Sequence, residues 1–212
     1  MNLLYKDLAL AAHPTLFIFT LLGCLVIVPA YPYTVIFMFG CLVPYISLMF
    51  ARENNDTWYT ILLPVTKGEI VAAKLRLFAG AQWIQILISV PFALLRHAVG
   101  IGNNPVGIDP VISWYGFGFI LFALFNLIFF PVYYKTGYKA GKAFLAAMPL
   151  IVLLMVMCEV SVHIPALYWL DSSAPADLLC QLPILICGIA FHTLSIAFTY
   201  KVCVPRFEKV DL

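Results

Sequence analysis

Charge is scarce in this sequence. Asp, Glu, Lys and Arg make up 10% of its 212 residues, against about a quarter in a soluble domain. With a mean hydropathy of +1.01, a water-solvated fold would leave a large apolar surface wet, so the natural solvent of the chain is lipid. A net charge of +2 with scattered basic residues gives no nucleic-acid footprint. Cysteine chemistry is missing as well. Cys24, Cys41, Cys158, Cys180, Cys187 and Cys203 form no CxxC pair, and they share no zinc spacing with His13, His97, His163 or His192. They are expected as small buried hydrophobes.

Catalytic signatures are absent too. A phosphate-cradling loop needs GxxxxGK[ST] after a strand. The nearest approach, Gly137 to Ala143, is one residue short and ends on Ala143, which has no hydroxyl for magnesium. HExxH, GxSxG and a close carboxylate pair are missing. The expectation is a non-enzymatic chain with no metal and no cofactor of its own.

What is present is a series of apolar runs long enough to cross a bilayer, which takes about 20 residues. Six are read: 15–30, 33–50, 70–95, 112–134, 143–162 and 179–200. Pro29 and Pro32 make the first connection a tight turn. Eleven of the twelve Lys and Arg then fall on one side, with Arg96 alone on the other. The positive-inside rule makes that side cytoplasmic and puts both termini there. Tyr31, Tyr33, Trp114, Tyr115, Tyr133, Tyr134, Trp169 and Tyr200 fall at span ends, as in an interfacial aromatic belt. Residues 1–12 carry Leu3, Leu4, Leu8 and Ala11 at helical spacing, with Lys6 and Asp7 off that face. A helix lying along the membrane surface and a frayed terminus both fit this pattern.

Polar residues inside apolar runs are functional candidates by default. Glu159 falls near the far interface and His192 closer to mid-membrane. Two readings stand for each: headgroup water or a pathway role for Glu159, an interhelical hydrogen bond or a pathway role for His192. Gln82, Gln85 and Gln181 read as interhelical glue, with Gln82 and Gln85 kept as possible pathway residues.

The most informative stretch runs from Arg52 to Arg76, where charge and aromatics interrupt the oily sequence. Asn54, Asn55 and Asp56 are candidate N-caps. Trp58, Ile61 and Leu62 then share one helical face, and Pro64 ends the helix. Thr66 and Glu69 form a capping box that opens the next helix. A short amphipathic helix therefore joins a long span through a proline turn, and its apolar face needs either lipid or a partner's groove to cover it.

The order Glu53, Thr57-Trp58, Leu62-Leu63-Pro64, Thr66-Lys67, Glu69-Ile70-Val71 and Lys74 resembles the type-2 permease family of ABC exporters. The resemblance implies an all-α integral membrane protein of type-2 ABC permease architecture. It has six transmembrane helices, an N-terminal amphipathic elbow helix (residues 1–12) and a cytoplasmic coupling helix (residues 54–63) between spans two and three. Two such permeases, of the same or paralogous chains, pair over two copies of a separate ABC ATPase, which holds the ATP and magnesium. ATPase-coupling contacts then fall on Glu53, Asn54, Asp56, Trp58, Tyr59, Ile61, Leu62 and Leu63. Residues 163–178, with Tyr168, Trp169 and Pro175, match an outer gate by location. Small stand-alone permeases of this kind resemble exporters of amphipathic or antimicrobial peptides, of phenol-soluble-modulin or lantibiotic type, in the bacterial plasma membrane. The competing expectation is an ion-gradient-driven secondary transporter using Glu159 or His192.

Overall fold

The computed structural model describes residues 3–209; residues 1, 2 and 210–212, the first two of which belong to the expected N-terminal helix, and the side chains of Leu10 and Ala11 lie outside it. Among the described residues the chain is helical, with no strand. A short helix α1 (Leu3–Lys6) runs on through a π-turn, Asp7–Ala11. Pro14, at the first helical position, opens α2 (Pro14–Leu21), and the His13 side chain caps it by accepting from the Thr15 amide at 3.2 Å. Segments Leu3–Ala9 and Pro14–Ile27 meet at 91°. After Leu21 the chain tightens into a 3₁₀ stretch, Leu22–Ile27. With a rise of about 2.0 Å per residue there, the fourteen residues reach about 24 Å, against about 21 Å as pure α-helix.

Five further helices follow that are long and apolar enough to cross a membrane, six with the bent N-terminal pair. Three of them, with a short helix between the first two, are α3 (Val35–Glu53), α4 (Asp56–Ile61), α5 (Lys67–Ala98) and α6 (Ile112–Lys135). Then come α7 (Ala140–Ser161), a 3₁₀ turn Pro165–Leu170, and α8 (Pro175–Glu208). At 32 and 34 residues, α5 and α8 are about 48 and 51 Å long. Both outrun the hydrocarbon, about 30 Å thick.

Helix α6 is the core. Trp114, Phe122, Phe125 and Phe129 are fully buried on it, and Phe37 of α3 packs against Trp114 at a tilt, with ring centroids 4.4 Å apart. In lipid there is no hydrophobic drive between helices, so close packing and hydrogen bonds must hold them together. The α6–α8 crossing shows how. A Cβ on Gly188 would sit 2.5 Å from the Gly116 carbonyl oxygen, and one on Gly116 would lie 2.8 Å from the Ile184 backbone. Two glycines thus let the backbones touch.

Several expectations are corrected. Tyr33, Trp114, Tyr133 and Tyr134 are buried, not interfacial; each ring packs on another, as Tyr133 does on Tyr134 and Tyr138. Among the cysteines Cys41 and Cys203 are buried, whereas Cys180 and Cys187 are exposed on the flank of α8. Both described chain ends lie at one end of the bundle, where Lys67 Nζ donates to the carbonyls of Phe207 and Glu208. We call this the terminal end, and the opposite one the loop end.

Candidate functional site

The α3–α4 turn is made by two asparagines. Asn54 closes α3, and Asn55 takes the left-handed conformation (φ 54°) that reverses the chain, one that Asn tolerates better than most residues. Asn55 makes no side-chain cap, so its role is conformational and not the capping role expected for it. The helix covers Asp56–Ile61, shorter at both ends than the expected 54–63. Beyond Pro64 the capping box is formed: Thr66 Oγ1 accepts from the Glu69 amide at 3.2 Å, and Glu69 Oε2 accepts from the Thr66 amide at 2.7 Å.

Helix α4 has two unlike faces. Trp58 and Tyr59 are each 54% exposed and Leu62 is 76% exposed. Glu53 and Asn54 are exposed beside them, and Ile61 and Leu63 are half-buried. Asp56 and Thr60, four residues apart, point inward and are buried. Asp56 is therefore not a surface contact. Its Oδ1 accepts from Lys6 Nζ at 2.7 Å and its Oδ2 from Lys74 Nζ at 2.8 Å. Asp7 Oδ1 closes a ring, 2.8 Å from Lys6 and 2.9 Å from Lys74. Thr60 accepts a further bond from Lys6 at 2.6 Å and donates to the Asp56 carbonyl. All four charged side chains are at most 7% exposed.

The ring is electrically neutral and ties α1, α4 and α5 at one point. Burial opposes charge on Asp56, but Lys74 and Lys6 outweigh it and hold its carboxyl below the usual range. Burial likewise works against Lys6, and hydrogen bonds to Asp56 and Asp7 keep its ammonium above the usual lysine value. The polar side of the expected N-terminal surface helix thereby turns to the protein instead of to water. Lys6 and Asp7 face inward, while Leu4 and Leu8 are exposed. The sequence signals were an adjacent Lys-Asp pair in an apolar helix and a lysine two residues before Arg76. No local spacing rule links residues 6, 7, 56 and 74.

The arrangement is a short helix with a large apolar and aromatic outer face, held from behind onto the end of a helix about 48 Å long. The family described as ABC-2 family transporter protein matches this chain over residues 2–203. The chain belongs to that family. It is a multi-pass membrane component of an ABC transporter, and membership implies an ABC ATPase partner. No curated protein and no solved structure matches it.

Within the permease bundle, the possible pathway residues fall into separate clusters. Gln82 and Asn126 exchange amide hydrogen bonds at 3.1 and 2.9 Å, and His192 Nε2 lies 3.1 Å from Gln82 Oε1. That oxygen already accepts from Asn126, so Nε2 is the donor, and Nδ1 is left buried without a partner. Trp83 and Phe119 pack edge-on against the imidazole. Asn126, buried in an otherwise apolar run, is the residue the sequence reading missed. Gln85 Nε2 donates to the carbonyls of Phe19 and Ile36, joining α5 to α2 and α3. Of the four candidates, Gln82, Gln85 and His192 are buried interhelical contacts.

Glu159 sits apart at the loop end of the permease. It accepts from the Thr34 amide and hydroxyl at 2.9 and 2.6 Å and from the Ile108 amide at 3.0 Å, clasping two loops to α7. Beside it Arg96, 5% exposed, pairs with Asp109 at 2.8 Å, donates to the Gly102 carbonyl and the Tyr33 hydroxyl, and lies over the Tyr33 ring. Asp171 accepts from the Asp109 amide at 2.6 Å. Gln181 ties α8 to the Ser113 amide and to the carbonyls of Trp169 and Ser172. Arg96, Asp109 and Asp171 border a cleft of about 340 Å³ that also touches His97 and Tyr115. Burial, then repulsion from Asp109 and Glu159, lifts the Asp171 carboxyl to about 6 against the pull of the Asp109 amide and Arg96.

Proposed function

We propose that this chain is the membrane subunit of an ATP-driven exporter, with Asp56–Ile61 as its coupling helix. Trp58, Tyr59 and Leu62 insert into a cleft of the ATPase, flanked by Glu53 and Asn54. Ile61 and Leu63 seat the helix on the bundle, and Asp56 anchors it from behind. Two permeases pair over two ATPase copies, which hold the ATP and magnesium. The elbow helix expected over residues 1–12 is formed, among the described residues, by Leu3–Ala11, and both termini face the cytoplasm of a bacterial cell. ATP-driven closure of the ATPase pushes α4, and the ring passes the push to α1 and α5 together.

One observation carries this reading: a helix of six residues and its C-cap expose Trp58, Tyr59 and Leu62 while the opposite face is bonded to two other helices. A surface that is apolar outside and immobilised inside is built to receive force from a partner. For cargo we assign amphipathic or antimicrobial peptides, as the resemblance to small stand-alone exporters suggests.

Co-expression with the ATPase tests the coupling reading. Trp58→Ala and Leu62→Asp are expected to leave the permease folded but to abolish co-purification and stimulated ATP hydrolysis. If both variants assemble and transport as the parent does, α4 is not the coupling helix. The cargo assignment is tested separately, by peptide release from cells that carry the intact complex.

A further inference from the structure

Where α1 and α2 lie against α5, an apolar groove of about 340 Å³ opens on the flank of the bundle. Leu4 and Leu8 border its terminal end, Phe17 and Leu21 form one wall, and Gly80 lies along its α5 side. Thr20, the one polar residue in the wall, already donates to the Leu16 carbonyl at 2.6 Å. The groove therefore offers nothing to a polar ligand along its length.

Its mouth is different. Arg76 borders it and is exposed, and among the described residues it has no hydrogen-bond, ion-pair or ring partner. Lys74, one half-turn away, is neutralised in the ring, so Arg76 is the cation left to act at this place. The lining follows α5 from Arg76 to Ile88. Twelve residues of helix are about 18 Å, close to one leaflet of hydrocarbon, about 15 Å. A cation at one end of a leaflet-deep apolar groove matches a lipid with a charged head and long tails.

We propose that this groove is a binding site for an anionic phospholipid, its acyl chain along Gly80 and its phosphate on Arg76. Basic pockets between membrane helices hold such headgroups, and the guanidinium suits phosphate through its fork of donors. A second permease copy or an amphipathic peptide would fill the groove with side chains and leave the headgroup-like end unused. Bound lipid would also touch α1 and α5 beside the ring that joins them. The proposal stands whether or not α4 meets an ATPase.

The full chain in detergent is titrated with phosphatidylglycerol, phosphatidylcholine of the same acyl chains, and inorganic phosphate. Retained lipid is read by native mass spectrometry. Phosphatidylglycerol is expected to bind about fivefold more tightly than phosphatidylcholine, and phosphate alone not to bind. Arg76→Gln should bring the two lipids level. Gly80→Leu should remove both adducts, and because a Cβ at Gly80 meets nothing within 4 Å that variant keeps the fold. Equal affinity of the parent for both lipids overturns the headgroup assignment. Adducts that survive Gly80→Leu overturn the site, and so does a Gly80→Leu variant that splits a permease dimer, because the groove is then an interface between copies.

Discussion

At the terminal end, two lysines and two aspartates close a ring in which each charge touches two of opposite sign. At the loop end, Arg96 alone faces Asp109, with Asp171 and Glu159 close by. Both clusters join helices, but they respond to pH differently. In the ring the Asp56 carboxyl is held down and the Lys6 ammonium held up. Asp56 adds stability that is lost only as pH falls through its depressed value, and Lys6 adds stability that is lost only as pH rises through its raised one. Between those limits neither Asp56 nor Lys6 titrates. At the loop end one guanidinium pairs with Asp109 while two further carboxylates stand close by, and the Asp171 carboxyl is lifted to about 6. Balanced charge makes a fixed joint, and unbalanced charge makes one whose strength follows the surroundings.

Breaking the balance of the ring should produce the largest effect. Asp56→Ala leaves Lys6 and Lys74 with Asp7 alone, an uncompensated buried charge that costs about 3–5 kcal/mol. The double variant Asp56→Ala with Lys74→Met removes one charge of each sign and keeps the Lys6–Asp7 pair. It is expected to recover most of that loss, within about 1–2 kcal/mol of the parent. Thermal unfolding in detergent, run as a double-mutant cycle, measures the coupling. Equal destabilisation by the single and double variants would mean that the four charges do not act as one unit.

Arg96→Met is the matching break at the loop end, and its effect should be smaller, about 2–3 kcal/mol, because solvent reaches part of the cluster. It should also depend on pH. Without the guanidinium, Asp109 and Asp171 face each other uncompensated, so the loss is larger at pH 8 than at pH 5. A pH-independent loss would make Arg96 a packing residue.

The difference between the ends can also be read without removing any charge balance. Because the Asp171 carboxyl is raised above its ordinary value, the folded chain binds a proton that the unfolded chain has lost. Stability is therefore greatest at low pH and declines as pH climbs through about 6. With allowance for solvent screening the change is about 1 kcal/mol. The melting-temperature difference between the parent and Asp171→Asn, followed from pH 5 to pH 8, isolates this group from the histidines. A flat difference would show that Asp171 does not titrate in that window.

The sequence made the membrane class, the all-helical composition and the ABC permease family legible, because each rests on signals repeated over many residues. Apolar runs of span length recur six times, and the Trp58 to Lys74 order is local. The ring was not legible. Lys6 and Asp7 read as the wet face of a surface helix, since helical periodicity identifies two faces but not which one finds a protein partner. Asp56 read as a cap because Asp before a helix normally is one, and its true partners are 50 and 18 residues away. Asn126 was passed over in a run of Phe and Leu, although a lone amide there needs a partner. Tyr33 and Trp114 read as interfacial because ring position along a span says nothing of ring direction. What escaped detection is long-range pairing, which one chain read without relatives does not encode in its spacing.

The smallest expected effect on stability lies beside the largest, on the outer face of α4 and the Leu62 cap that follows it. Trp58 and Leu62 are exposed, so Trp58→Ala and Leu62→Ser remove contacts mainly with solvent or lipid. Each should shift unfolding by less than about 0.5 kcal/mol, while Asp56→Ala, two and six residues away from them, costs several times more. If Trp58→Ala destabilises the isolated permease as Asp56→Ala does, its ring is packed against the bundle and is not free for a partner. If the two faces separate as expected, and only the outer variants weaken ATPase association, the helix divides its work by face: charge holds it to the bundle, and apolar surface meets the partner.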